Sequence, residues 1–306
     1  MGLASLACCC LTATAMAQRM PAPVAAAAPG LPSPATPSAD VDAANAPAAA
    51  AEPAPPGPTA TPAPWDLQLG LAVIDGPAYA GAVDHTQQIK PVGSLRYGRF
   101  RLTTSRAALV EREADRSVVA GASLDLGQFH QWQLDAALRL DTGRDSADSP
   151  RLAGFDSVPA TVRGRLVASY PLSPHSRADV TLSTDLMGRG GGTTLALDLR
   201  QRWRLTPQWR WTLGAGLEAA DAVYQRSYHG VSAAASRASG LPQFEPGGGW
   251  QQLSANTGLT WQVHPQWRLG GAVAWNLLLG DAAASPLTEQ RQGWTFTLGL
   301  VYQYRP

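Results

Sequence analysis

Trp294-Thr-Phe-Thr-Leu-Gly-Leu-Val-Tyr-Gln-Tyr304, almost the last residues of the chain, alternates large apolar residues with small or polar ones. Trp294, Phe296, Leu298, Leu300, Tyr302 and Tyr304 share one parity. Thr295, Thr297, Gly299 and Gln303 share the other, with Val301 the single large apolar residue among them. A period of two sends successive side chains to opposite faces of a strand. Aromatics concentrated near one end of the apolar face mark a wall that faces lipid and anchors at its surface.

Working back from this strand, the same register recurs. Trp132, Leu134, Ala136, Leu138 and Leu140 oppose Gln131, Gln133, Asp135, Arg139 and Asp141, and Leu195, Leu197, Leu199, Trp203 and Leu205 oppose Asp198, Arg200, Arg202 and Arg204. Twelve strands are expected near 65–73, 90–98, 99–106, 117–126, 131–141, 160–170, 177–187, 193–204, 209–220, 252–263, 267–279 and 293–304. The fold class this implies is all-β: a transmembrane antiparallel up-and-down barrel over 65–306. Such walls escape hydropathy scans because alternate residues face a polar interior, and mean hydropathy is indeed slightly negative. No run of about 20 apolar residues offers a transmembrane helix.

The connections mostly alternate between short and long. Short ones repeat one pattern: Leu172-Ser-Pro-His-Ser-Arg177, Leu205-Thr-Pro-Gln-Trp-Arg210 and Val263-His-Pro-Gln-Trp-Arg268, with Gly127-Gln-Phe-His-Gln-Trp132 a looser version. Proline presets the turn and tryptophan starts the next strand at an interface. Long ones span 74–89, 107–116, 142–159, 221–250 and 280–292, and the Gly-rich 188–192 is the short member of that set. Outer-membrane barrels keep short turns in the periplasm and long loops outside. The expected location is therefore the bacterial outer membrane, with an even strand count and both termini periplasmic.

Residues 1–17 read as a signal peptide ending at Ala15-Met16-Ala17, although the basic n-region is missing. All three cysteines, Cys8, Cys9 and Cys10, fall inside it. A lipidated Cys8 after Ser5-Leu6-Ala7 is the minority alternative. Residues 18–64 are dominated by Ala and Pro and should form a disordered periplasmic linker, because they cannot bury enough apolar area to offset chain entropy. Basic and acidic residues number 24 and 23, and no basic stripe interleaved with aromatics suggests nucleic acid.

No constellation compels chemistry. His130, His175 and His264 fall in short turns and His85 and His229 in long connections, without metal-ligand spacing, and read as solvated. Ser285, Asp281 and His229 could be drawn as a triad, but no nucleophile elbow accompanies them. Gly188-Arg-Gly-Gly-Gly192 lacks the Lys-Ser/Thr of a phosphate loop. Hence no catalytic, cofactor-binding or metal residue is expected, and no cofactor. Arg163, Arg165, Asp179, Asp185, Asp198, Arg200, Arg202, Arg204, Arg210, Glu218 and Arg268 should point into the lumen. They fit either a packed interior of paired charges or a passive channel or solute site, and twelve strands lie between the filled and open regimes.

Several segments carry a family likeness: Gly76-Pro-Ala-Tyr-Ala-Gly81, Tyr97-Gly-Arg-Phe100, Gly143-Arg144, Leu152-Ala-Gly-Phe155, Tyr228-His-Gly-Val231, Ser239-Gly-Leu-Pro242, Gly247 to Gly249, and Leu278-Leu-Gly-Asp-Ala-Ala283 with Ser285-Pro286. In order and spacing they resemble the MltA-interacting protein (MipA/OmpV) family, with His229 where an aromatic is expected. Thr297, Gly299, Tyr302 and Tyr304 also resemble the C-terminal segment read by barrel-assembly machinery. The resemblance implies a monomeric, non-enzymatic barrel seated in outer-membrane lipid. It further implies a scaffold that links a lytic murein transglycosylase to a murein synthase. Rival readings are a channel and a barrel enzyme such as a phospholipase or lipid A hydrolase.

Overall fold

A computed structural model describes residues 65–104 and 121–304. The signal-peptide and linker segments, and the connection expected at 107–116, lie outside the described residues. Twelve strands close one antiparallel ring in the order β1-β12-β11-β10-β9-β8-β7-β6-β5-β4-β3-β2. They are β1 Trp65–Pro77, β2 His85–Tyr97, β3 Phe100–Thr103, β4 Gly121–Phe129, β5 Trp132–Asp141, β6 Thr161–Pro171, β7 Ser176–Asp185, β8 Thr193–Arg204, β9 Trp209–Ala220, β10 Gly249–His264, β11 Trp267–Leu278 and β12 Gln292–Tyr304. Closure pairs β1 with β12, Leu67 opposite Tyr304 and Asp75 opposite Phe296. The closed ring gives every strand two neighbours, as a sheet in lipid requires, with β2 meeting β3 through Ser94–Tyr97 among the described residues.

The alternation becomes inside and outside. Leu71, Leu138, Leu140, Leu197 and Leu298 are exposed on the outer face, Leu140 at 68 %, whereas Gln68, Asp135, Arg163, Thr181 and Gln303 are buried on the inner one. An aliphatic surface wrapped around a polar interior is stable only with hydrocarbon outside. Tryptophans and tyrosines gather where the short turns are. Trp65 stacks on Tyr304, Trp203 on Trp211 and Trp209 on Trp261, while Trp132 meets Tyr170 and Trp267 meets Tyr302. This is the aromatic girdle of an outer-membrane barrel.

The short turns share one device. Ser173 Oγ accepts from the Ser176 N–H at 3.0 Å and Thr206 Oγ1 from the Trp209 N–H at 3.0 Å. His264 Nδ1 faces the Gln266 N–H at 3.4 Å. In each, the residue before proline caps the turn with its side chain.

Two expectations need correction. The first hairpin is longer than its apolar signal: β1 runs to Pro77 and β2 starts at His85, paired through Gln88 opposite Ile74 and His85 opposite Pro77. There the strands carry Gln87, Gln88 and Lys90, so the period-two apolar pattern fades while the ladder continues. His85 is thus a strand residue, 3.0 Å from Asp75. Secondly, the long connections 221–250 and 280–292 are not plain loops, since they fold into α1 Ala222–His229, α2 Ala233–Ser239 and α3 Gly280–Ala284. Capping signals account for them. Asp221 accepts from the Tyr224 N–H at 2.8 Å and ties α1 to β8 through the Thr193 N–H, also at 2.8 Å. Ser232 caps α2, which ends at Gly240 with φ 73°, a left-handed terminus suited to glycine.

Candidate functional site: the lumen and its cap

The long connections condense around an apolar cluster of their own. Leu152, Phe155, Val231, Ala235 and Leu287 are buried together, with Tyr79, Leu241 and Phe244 packed against them. These residues come from four connections far apart in sequence. Polar contacts lock them: Tyr79 OH donates to Leu287 O at 3.0 Å, Arg144 Nη1 to Tyr228 O at 2.8 Å, and Ser285 Oγ to His229 O at 2.6 Å. We call this assembly the cap. Burial holds the Tyr228 phenol up to about 12 and pushes the Arg144 guanidinium down.

The cap reaches the lumen through α1. Tyr224 and Tyr228, one turn apart, stack at 4.5 Å, and the Tyr224 ring lies 5.7 Å from the Arg163 guanidinium. Arg163 is buried on the inner face of β6. Its Nε donates to Ser183 Oγ at 2.9 Å, its Nη1 to Gly191 O at 2.6 Å and its Nη2 to Gly192 O at 3.3 Å, and Asp141 stands 3.7 Å away. Asp185 organises the same turn, accepting from the backbone N–H of Met187, Arg189 and Gly191 and from the Thr161 hydroxyl. The Gly-rich 188–192 stretch is thus a tight turn whose inward N–H groups already hold a carboxylate.

The sequence-derived inner charges do not form one uniform set. Toward the loops, Arg163 stands opposite Asp185, while Asp198 lies further along the wall, opposite Asp179. Toward the short turns, β8 presents Arg200, Arg202 and Arg204 at alternate positions. Arg200 stands directly opposite Arg177, and Arg204 opposite Arg210. Asp179 stands 2.9 Å from Arg177 Nε and directly opposite Asp198, which precedes Arg200 on the same face. Arg268 is buried on β11, between Gln262 and Val301 in the register. Glycine makes room for this network at Gly216, where a Cβ would come within 2.6 Å of Asp198 Oδ1 and 2.7 Å of Ser254 Oγ.

The residues drawn as a triad meet without forming one. Ser285 Oγ is spent on the His229 backbone carbonyl, and Asp281 Oδ2 accepts from the Gly247 N–H at 2.7 Å. His229 is not solvated as its loop position suggested. It ends α1 buried, its Nδ1 without a hydrogen-bond partner, and desolvation lowers its pKa to about 4. Tyr224 and Gln225 carried no signal in the sequence, and Arg144 entered only with Gly143 as part of the family likeness.

No curated protein matches the sequence. Among solved structures, the barrel is similar to the NanC porin, at 10 % identity and TM-score 0.39 over 76 % of this chain and 100 % of that one. It is similar also to the KdgM porin, at 8 % identity and TM-score 0.35 over 79 % and 99 %. OmpT of Vibrio cholerae, in a loop L8 deletion form, shares 7 % identity and TM-score 0.35 over 78 % and 99 %. Likenesses this remote carry no functional argument. The sequence match is decisive: the family model for MltA-interacting protein MipA covers residues 69–304. That span is nearly the whole lipid-facing barrel, and this outer-membrane protein belongs to the MipA family.

Proposed function

We propose that the protein is a non-enzymatic scaffold of the outer membrane that brings murein-remodelling enzymes to the barrel, with a lytic transglycosylase of the MltA kind and a murein synthase as its partners. The observation that supports this most is the family match, whose description is an interaction with MltA. The two ends of the barrel agree with it. One mouth carries a folded cap with its own core, as suits the cell exterior, and a capped mouth counts against steady passage of solutes. The other end has connections of two to four residues among the described ones and receives both ends of the barrel sequence. Placing that end in the periplasm puts residues 18–64 beside the murein layer as a tether. As a random coil of roughly 47 residues it would span about 35–40 Å.

Cross-linking in intact envelopes followed by pull-down of the barrel tests the reading. Recovery of a murein transglycosylase and a synthase is the expected result, and recovery of neither overturns it. Protease admitted to the periplasm should clip the linker and leave a folded core beginning near Trp65. Clipping by protease outside intact cells would reverse the topology and remove the scaffold with it. Steady conductance of the protein in planar bilayers would favour the channel reading instead.

A further inference from the structure

We propose that the outer face of β2–β5 binds one anionic glycerophospholipid, with an acyl chain in a groove of the wall and the phosphate on Arg99. The site lies outside the lumen and is independent of the scaffold reading.

The groove comes from an exchange of large side chains for small ones. Two outward rows cross these strands in register. The row nearer the turns is Tyr97, Phe100, Leu124 and Ala136, and the next is Leu95, Leu102, Ala122 and Leu138. Each row drops once to an alanine, and the two alanines lie on a diagonal between β4 and β5. The larger side chains around them frame an apolar hollow of about 420 Å³ on the membrane side. That volume falls within the range of about 300–1,000 Å³ in which small molecules are held. A void against the wall would forfeit dispersion contacts, and a flexible acyl chain restores them. A second barrel would gain little in its place, because lipid tails are as apolar as its own wall.

An acyl chain alone would be ordinary boundary lipid, and the turn end supplies the selectivity. Gly98 and Arg99 connect β2 to β3, and Arg99 is exposed. Its Nη2 lies 3.7 Å from the point where a Cβ on Gly127 would stand. Gly127 pairs with Leu134, an exposed residue of the outer face, and paired residues share a face. The guanidinium therefore reaches round the turn onto the outside of the wall, on the turn side of Leu124. Asp125, the acid of that hairpin, is paired with the buried Asp135 and faces inward. There it accepts from the Gly127 N–H at 2.7 Å and from Gln133 Nε2 at 2.5 Å. Tyr97 and Phe100, which flank Arg99 in the turn, are of the aromatic kind that settles at a membrane interface. A guanidinium presents paired N–H donors that match a phosphate. This cation favours a headgroup of net negative charge over one whose own ammonium already balances its phosphate.

The test is native mass spectrometry of the full-length protein in detergent, titrated with dioleoyl phosphatidylglycerol or dioleoyl phosphatidylethanolamine. One phosphatidylglycerol should bind about tenfold more tightly than phosphatidylethanolamine. Arg99→Gln should erase that preference, and Arg99→Lys should keep part of it. Ala122→Leu/Ala136→Leu fills the groove and should weaken both lipids about tenfold. Arg237→Gln on the cap and Ala215→Leu on the outer face of β9 should change neither. If the double leucine variant fails to show heat-modifiable migration, Arg99→Gln, in an exposed turn, carries the test. A phosphatidylglycerol with a photoreactive acyl chain should label residues 95–102 and 122–138. No retained lipid, labelling spread evenly over the twelve strands, or an unchanged preference in Arg99→Gln overturns the proposal. Tighter binding of lipid A overturns the phospholipid as occupant, and a dimer that excludes lipid puts a second copy there. Residues 105–120 join β3 to β4. If a Gly/Ser linker of equal length in their place raises lipid binding tenfold, they are the occupant and the proposal falls.

Discussion

The loop half and the turn half of the lumen obey the same parity rule and end in opposite states. In the loop half, Arg163 is buried among carbonyls, a hydroxyl and Asp141, under the Tyr224 ring. In the turn half, Arg200, Arg202, Arg204 and Arg210 crowd one another on a part-exposed wall. Alternation decides only that a side chain faces inward. What surrounds it there decides how tightly the charge is held.

The largest expected effect tests the first half of that statement. Arg163→Met removes the cation but leaves Asp141 and the carbonyls of Gly191 and Gly192 inside, so it should cost about 3–5 kcal/mol, the penalty for breaking a buried charge network. Equilibrium unfolding in urea with refolding into vesicles measures it. A cost below about 1 kcal/mol would mean that the loop half is as loosely held as the turn half, and the contrast would disappear.

Acid should loosen the loop half selectively. His229 has a folded pKa of about 4 against 6.5 unfolded, so the fold favours the neutral ring. Cap stability is full above pH 6.5, falls as pH drops because the opened cap binds the proton more readily, and levels off below about 4. At pH 5 the loss should reach about 2 kcal/mol. Amide exchange over residues 222–239 should therefore accelerate between pH 7 and pH 5, after correction for intrinsic rates, and His229→Phe should abolish the difference. Equal acceleration in the turn-end strands would show a global effect instead.

This same pair of regions marks how far the sequence could be read. The strands, the closed barrel and the aromatic end were legible because lipid imposes one rule on every outward residue, as at Leu138, Leu197 and Leu298. The inward direction of Arg163 and Arg202 followed from parity. Their different fates did not, because Gly191 and Tyr224 reach Arg163 from connections that have no period, joining Asp141 at the loop end of β5. The cap was hidden for a similar reason. Leu152, Phe155, Val231 and Leu287 each look like an isolated apolar residue in a loop, and only the closed ring brings their connections together. His229 was misread as solvated since nothing local shows that α1 will be covered.

A smaller effect separates the cap's polar locks from its apolar core. The Tyr79 phenol donates to Leu287 O, and burial pushes its pKa up to about 12, so it stays protonated and donating across the working range. Tyr79→Phe keeps the ring against the cluster and loses only this bond, about 0.5–1.5 kcal/mol. Exchange in residues 280–290 should rise modestly while the strands are unaffected. A loss as large as that of Arg163→Met would place the cap's stability in this one hydroxyl.

The smallest effect is the most discriminating for the turn half. Arg202→Gln removes a part-exposed cation from a wall where Arg204 and Arg210 stand nearby. Two consequences oppose each other. The side chain's own interactions are lost, repulsion from its neighbours is relieved, and on this part-exposed wall the two largely cancel. Net stability should therefore change by less than about 0.5 kcal/mol, and any change should shrink with added salt because screening weakens both terms. The same urea titration, run on Arg163→Met and Arg202→Gln side by side at low and high salt, reads the contrast directly. A loss of more than about 2 kcal/mol for Arg202→Gln would make this arginine as structural as Arg163, and the contrast between the two halves would disappear.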